Sequence, residues 1–270
     1  MLYFRINICI INMSVLTRYL YNLEEVKLSY LIALLNKDLK RAYHWIFEIY
    51  HSGYQQDAFE LNDVLYANVY VRRKTIMEKN KQRYDAWSLD KDPIHIATIV
   101  KNMINQPIRI SKFIGKIWKV KNIKDVAVPT PSKAYLTATY EEIAEYNTLD
   151  STIPSNVLKI GPKYGINKEL HMLFKIPNVS KEEWEQNWLY YASSCPLWKE
   201  RIQQYGGTVC SNNMRVEFCD DDQFEQFYDR YNYEPDEQPN NIQEMIYGKD
   251  DASYNYLDIP TLCRFYGGIQ

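Results

Sequence analysis

Asn22-Leu-Glu-Glu-Val-Lys-Leu-Ser-Tyr-Leu-Ile-Ala-Leu-Leu-Asn36 decides the architecture of this chain. Asn22 can accept the first free amides of a helix, and Glu25, three residues on, completes a capping box. The apolar-rich run that follows contains no proline or glycine, so a helix is predicted up to Asn36. Working outward, Asp38 caps a second helix through His51, and Ser52-Gly53 stops it because glycine adopts the left-handed conformation without steric cost. A third helix is predicted from about Gln56 to Tyr84, with Phe59, Leu61, Val64, Leu65, Val69 and Ile76 mostly at helical spacing. Pro93 suits the first position of a fourth helix, which runs to about Asn105 before Pro107. Short connections between these helices imply antiparallel neighbours, and hence a compact bundle or a short stack of helix pairs.

The second half is mixed. Pro129-Thr-Pro131 reads as a linker, and Thr139-Tyr-Glu-Glu142 and Ser180-Lys-Glu-Glu183 are further capping boxes. The latter opens an aromatic helix with Trp184, Trp188 and Tyr191. Pro196 starts its successor, which carries Trp198 and ends at Gly206-Gly207. Thr208–Cys210 and Met214–Phe218 flank Ser-Asn-Asn and read as a β-hairpin, since asparagine tolerates the left-handed region. Asp222 caps a helix through about Tyr231, and another covers Gln238 to Tyr247. The expected fold class is mainly α: an N-terminal helical bundle followed by an α+β C-terminal half with a small β-hairpin. The expected division is 1–12, an upstream extension of the reading frame; 13–125, a basic helical bundle; and 126–270, an acidic α+β region. Residues 1–12 are apolar but interrupted by Arg5, Asn7 and Asn12, too short to span a bilayer and without a signal-peptide pattern, and Met13 reads as the natural start.

The chain has 270 residues, 46% of them hydrophobic and 24% charged, with a net charge of −2. These values exclude collagen-like, wholly disordered and disulfide-scaffold classes. Only nine glycines are present, little material for phosphate-cradling loops or many tight hairpins. The five cysteines, Cys9, Cys195, Cys210, Cys219 and Cys263, are widely spaced with no C-x-x-C pair, which fits reduced thiols inside a cell.

Charge is distributed unevenly. Residues 1–125 carry a net +8 and residues 126–270 a net −10. Between Pro93 and Lys124 there are seven basic residues and no acid, and Arg72-Arg73-Lys74 with Lys79, Lys81 and Arg83 forms a second basic cluster. Glu217 to Asp258 holds thirteen acids against Arg230 and Lys249. Either the halves dock through complementary charge, or the basic half meets an anionic partner such as nucleic acid. Residues for that anion contact are Arg72, Arg73, Lys74, Lys101, Arg109, Lys112, Lys116 and Lys119, with Trp118, Phe113 and Tyr84 as aromatics that could stack on bases.

Other candidates read more simply as structure. His44, Glu48 and His51 share one helix face and could ligate a metal, but Lys37 and Arg41 lie on the same stripe, which reads as a solvated face. Asp220-Asp-Asp222 with Glu217 and Glu225 could hold a divalent cation, but reads as a charged helix N-terminus. Gly161-Pro-Lys-Tyr-Gly165 lacks the order of a phosphate loop and reads as a turn. Cys195 before Pro196 could be a thiolate at a helix start, yet nothing brings His171 to it. Phe224, Phe227, Tyr228 and Tyr231-Asn-Tyr233-Glu-Pro-Asp-Glu237 form an acidic, aromatic signature suited to a protein interface.

Three stretches carry a resemblance: Ala42-Tyr-His-Trp-Ile-Phe-Glu-Ile-Tyr-His-Ser-Gly-Tyr54, Tyr190-Tyr-Ala-Ser-Ser-Cys-Pro-Leu-Trp-Lys-Glu-Arg-Ile202 and Phe227-Tyr-Asp-Arg-Tyr-Asn-Tyr-Glu-Pro-Asp-Glu-Gln238. Together they resemble an uncharacterised, mimivirus-like protein family of nucleocytoplasmic large DNA viruses. The resemblance implies synthesis in the host cytoplasm or viral factory, with the virion as a further location, and transfers no catalytic residues. The expectation is a non-enzymatic interaction or structural protein with a protein partner, no membrane, no cofactor and no metal. The alternative is a nucleic-acid-associated factor in viral replication or transcription using residues 72–124; a metal-dependent enzyme at Asp220–Asp222 is the remote third.

Overall fold

The computed structural model describes residues 14–111, 113, 115, 134–147, 156–170, 180–249, 259–262, 264 and 265. The fold is mainly helical, with a helical N-terminal half and one small antiparallel sheet later in the chain. The chain divides into two compact units that alternate along the sequence. One comprises Met1–Ser29, Glu48–Tyr54 and Leu149–Tyr256; the other comprises Tyr30–Phe47, Gln55–Thr148 and Leu257–Gln270. The expected boundary near residue 125 lies outside the described residues, as do residues 1–12 and the linker at Pro129–Pro131.

Helix α1 (Leu23–Leu35) begins at the expected cap: the Asn22 Oδ1 accepts the amides of Glu24 and Glu25 at 3.0 and 3.3 Å. Helix α2 (Leu39–His51) follows, with Asp38 accepting the Arg41 amide at 3.0 Å. Its stop is also the expected one, since Gly53 sits at φ +94°, where a β-carbon would approach Pro196 to 2.6 Å.

In the unit built mostly from residues 55–148, the predicted single helix from Gln56 to Tyr84 is two. Helix α3 (Gln55–Val69) ends where the chain straightens, and α4 (Lys74–Asp90) starts afresh after Arg73 in extended conformation. Tyr70 forms an antiparallel bridge with Ile108, and Val71 donates to the Pro107 carbonyl at 3.1 Å. Val69-Tyr-Val71, β-branched and aromatic, thus trades helical bonds for a long-range bridge that no local periodicity reports. Helix α5 (Ile94–Ile104) has Pro93 at its cap position and is buried on almost every side, which marks it as the central helix of this unit. Phe59, Tyr84 and Trp87 pack together, with ring centroids 4.6–5.7 Å apart.

Residues 134–139 lie against α4 and α5 through side chains that bond backbone. The Asn102 amide donates to the Leu136 carbonyl at 2.6 Å and accepts the Leu136 N–H at 2.9 Å. The Thr98 hydroxyl accepts the Ala138 N–H at 3.1 Å, and the Lys101 ammonium donates to the Thr137 carbonyl at 3.1 Å. The segment ends in a full capping box, Thr139 with Glu142, that opens the short helix α6 (Tyr140–Ile143).

The other unit carries α7 (Val157–Ile160), α8 (Lys181–Ala192, kinked at Asn187), α9 (Pro196–Gln204), β1 (Thr208–Cys210), β2 (Arg215–Glu217), α10 (Asp221–Tyr231) and α11 (Asn240–Tyr247). Ser180 caps α8 and Pro196 starts α9, as their sequence signals require. The hairpin pairs Thr208 with Glu217 and Cys210 with Arg215. Its left-handed residue is Met214, at φ 52°, and not one of the asparagines. The α10 cap is Asp220, accepting the Gln223 amide at 2.8 Å, and not Asp222; the third aspartate is already inside the first turn. Trp198, fully buried, is the hub of the core here, ringed by Trp188, Phe227, Tyr231 and Tyr233 at 5.0–6.5 Å. The Arg201 guanidinium lies 4.6 Å over its ring.

The same unit buries two ion pairs. Glu48 and Arg18, 0% and 4% exposed, meet at 2.9 Å, and the second oxygen of Glu48 accepts the Tyr19 N–H at 3.0 Å. Glu25 and Lys168 face each other at 3.7 Å, the Lys168 ammonium also lying 4.5 Å over the Tyr247 ring. Helix α12 (Ile259–Leu262) belongs to the unit of residues 55–148.

Candidate functional site

The acidic, aromatic stretch singled out in the sequence divides into a core and a surface. Phe227, Tyr231 and Tyr233 are buried in the Trp198 cluster, whereas Phe224 is 47% exposed and Tyr228 half-buried. The split follows helical geometry: Phe227 and Tyr231 fall on the inward row of α10, Phe224 and Tyr228 on the next row out. The Phe224 ring packs on Phe218 at 5.7 Å and on Tyr228 at 4.7 Å, and Tyr228 meets Trp188 edge-on at 6.5 Å. The result is an aromatic ladder whose open end is Phe224.

Exposed carboxylates flank the ladder. Asp221, Glu225 and Asp229 recur every fourth residue on α10, and Glu217, Asp220 and Asp222 precede or join its first turn. On the far side the Trp188 indole N–H donates to Glu234 at 3.3 Å. Burial raises the Glu234 carboxyl above its ordinary range, and the neighbouring Asp236 and Glu237 push it further in the same direction. The Cys210 thiol is likewise raised, by its hydrogen bond to Glu217 and by desolvation. Carboxylates that raise a neighbouring group's proton affinity mark a locally negative potential. The β1–β2 ribbon adjoins this face, with Val209 exposed and each three-residue strand paired on one edge only.

The basic candidates are dispersed. Lys101 is spent: its ammonium grips both oxygens of Glu142 at 2.7 and 2.8 Å besides the Thr137 carbonyl. Arg72, Lys74 and Arg109 are exposed and Arg73 is partly so. The bridge between Tyr70 and Ile108, with the Arg109 main-chain N–H donating to the Val69 carbonyl at 2.6 Å, sets Arg109 opposite Val69, at the other end of the bridge from residues 72–74. Lys112, Lys116 and Lys119 lie outside the described residues, as does Trp118. Phe113 is buried, and Tyr84 packs against Phe59 and Trp87, so these two rings serve the core.

The solvated stripe expected at His44, Glu48 and His51 is corrected by the structure: all three are buried, while Lys37 and Arg41 on the same stripe are exposed. The reason is Arg18, thirty residues before Glu48, which neutralises it inside the core. Gly161–Gly165 is irregular backbone after α7. The Cys195 thiol is buried, donates to the Ser52 carbonyl at 3.0 Å, and is pushed up to about 11 chiefly by desolvation, the opposite of an activated thiolate. His171 lies outside the described residues. A surface cluster that the sequence reading missed joins His95 Nε2 to Asp90 at 2.9 Å and places the Arg83 guanidinium 3.5 Å from His95 Nδ1. The cluster ties the end of α4 to α5. Among the described residues no group of three or more His, Cys, Asp and Glu side chains is placed to hold a metal ion, and no helix is long and apolar enough to cross a membrane.

No protein-family model, curated protein or solved structure matches the chain.

Proposed function

We propose that this chain is a non-enzymatic interaction protein whose contact surface is the acidic, aromatic face of α10 and the β1–β2 ribbon, and whose partner is a polypeptide segment bearing lysine or arginine beside apolar residues. The observation that carries the reading is Phe224, an exposed aromatic at the end of a packed ladder, set among exposed carboxylates that outnumber the arginines of the same elements, Arg215 and Arg230. An aromatic anchor supplies contact area, and flanking charge selects the partner and steers its approach. The three stretches at 42–54, 190–202 and 227–238 support an origin in a large DNA virus, acting in the host cytoplasm, the viral factory or the virion. A short labelled peptide of alternating arginine and leucine is expected to bind, and Phe224→Ala, or Asp221→Asn with Glu225→Gln, to weaken it about tenfold by anisotropy. Equal affinity in those variants, or for a glutamate-for-arginine control peptide, overturns the reading.

The second reading, contact with nucleic acid, is favoured by the exposure of Arg72, Lys74 and Arg109, which flank the backbone bridge between Tyr70 and Ile108. It predicts mixed-sequence duplex binding whose affinity falls steeply with salt. Replacing these three residues by glutamate should flatten the log–log slope by about three, near one unit per lost phosphate contact. Binding that does not change between low and high salt removes this reading.

A further inference from the structure

Helix α5 reads residues 134–139 much as a receptor reads a ligand. Asn102 takes both the N–H and the C=O of Leu136, and Thr98, one turn earlier, takes the N–H of Ala138. Contact at alternate residues is the repeat of extended backbone, and a side-chain amide that pairs both backbone groups of one residue imitates a neighbouring strand. Lys101 adds the Thr137 carbonyl at 3.1 Å, so the bonds that fix the segment fall mainly on main-chain atoms. Sequence enters at three positions. Tyr135 donates its hydroxyl to Asn80 at 3.0 Å with Lys79 over its ring, Thr137 accepts from Arg83 at 3.3 Å, and Ala138 is buried at 4% exposure, where a larger side chain lacks room. Leu136 points none of its specificity inward, being 41% exposed.

We infer that the face formed by Asn80, Arg83, Thr98, Lys101 and Asn102 is a binding surface for extended polypeptide of the pattern Tyr-x-Thr-Ala, occupied here by the chain's own residues 135–138 and open to the same pattern on another polypeptide. Main-chain recognition does not require covalent continuity, since each bond is available to any segment of that pattern. A tethered occupant competes at an effective concentration in the millimolar range, so an outside segment gains entry when present at that level or when the tethered one is weakened. This surface shares no residue with the α10 face, and it is read by Asn102 variants where that face is read by Phe224 variants, so the two proposals fail independently.

The test uses the full chain and a peptide, Ala-Tyr-Leu-Thr-Ala-Thr, copied from residues 134–139. In the wild-type protein, millimolar peptide should lower hydrogen-exchange protection of the Leu136 and Ala138 amides about twofold, as the tethered segment is displaced. Unchanged protection at both amides overturns the proposal. Leu136→Pro removes the N–H that Asn102 accepts and weakens the tethered segment alone. The peptide should bind that variant at least tenfold more tightly than wild type, and adding Asn102→Ala should abolish the gain. A folded Leu136→Pro protein that gains no affinity, or one whose gain survives Asn102→Ala, overturns it equally. The exchange measurement on wild type decides the matter if the proline variant does not fold.

Discussion

Replacing Glu48 with alanine is expected to destabilise the protein by about 3–5 kcal/mol, the cost of stranding the buried guanidinium of Arg18 without its counter-ion. For a chain whose total stability is of the order of 5–15 kcal/mol, that is a substantial fraction. The loss is compounded because Glu48 also accepts the Tyr19 N–H, while the relay from the Arg18 amide through the Ser52 hydroxyl to the main-chain carbonyl of residue 48 survives the substitution. One carboxylate thus ties the 16–21 loop to the end of α2. Arg18→Met combined with Glu48→Leu should recover part of the loss, since paired removal leaves no uncompensated charge, although the Tyr19 amide stays unsatisfied. Urea unfolding followed by tryptophan fluorescence measures both. A Glu48→Ala midpoint within about 1 kcal/mol of wild type would mean that the pair is dispensable.

The second large effect is a stability that rises on mild acidification. Burial lifts the Glu25 carboxyl from 4.5 to about 7, because the Lys168 ammonium at 3.7 Å offsets only part of the desolvation. Between those two values the folded chain holds a proton that the unfolded chain has released. Each upward step in pH across that window therefore favours unfolding. Fully developed, the penalty is about 3 kcal/mol, present above pH 7 and gone below about pH 4.5. Glu25→Gln, neutral at every pH, should flatten this dependence and raise stability at pH 8 relative to pH 5. Parallel pH profiles for variant and wild type would refute the assignment to Glu25.

Much of the fold was legible because its signals are local. Asn22, Ser180, the Thr139–Glu142 box, Pro196 and Gly53 act within one helical turn, and each does in the structure what its residue type dictates. The misses share the opposite property. The break between α3 and α4 depends on a partner at Ile108, and the burial of Glu48 depends on Arg18, contacts that no periodicity encodes. The exposed stripe inferred from Lys37 and Arg41 holds for the first turns of α2 and fails for the last, where the arginine arrives. The candidate site was half visible. Composition marked residues 217–237 as acidic and aromatic, but only packing separates Phe227, which faces Trp198, from Phe224, which faces solvent.

The alternation of the two units along the chain bears on how the molecule is made. The indole of Trp198 donates to the carbonyl of Thr17 across 181 residues, and Tyr21 reaches Tyr164 across 143. At translation rates of roughly 5–20 residues per second, Thr17 waits on the order of ten to forty seconds on the ribosome before Trp198 is synthesised. The stretch from Gln55 to Thr148 is finished well inside that interval and can condense first. Until then, residues 16–29 lack the partners that Tyr164 and Trp198 supply, and a nascent-chain chaperone is where such a segment would shelter.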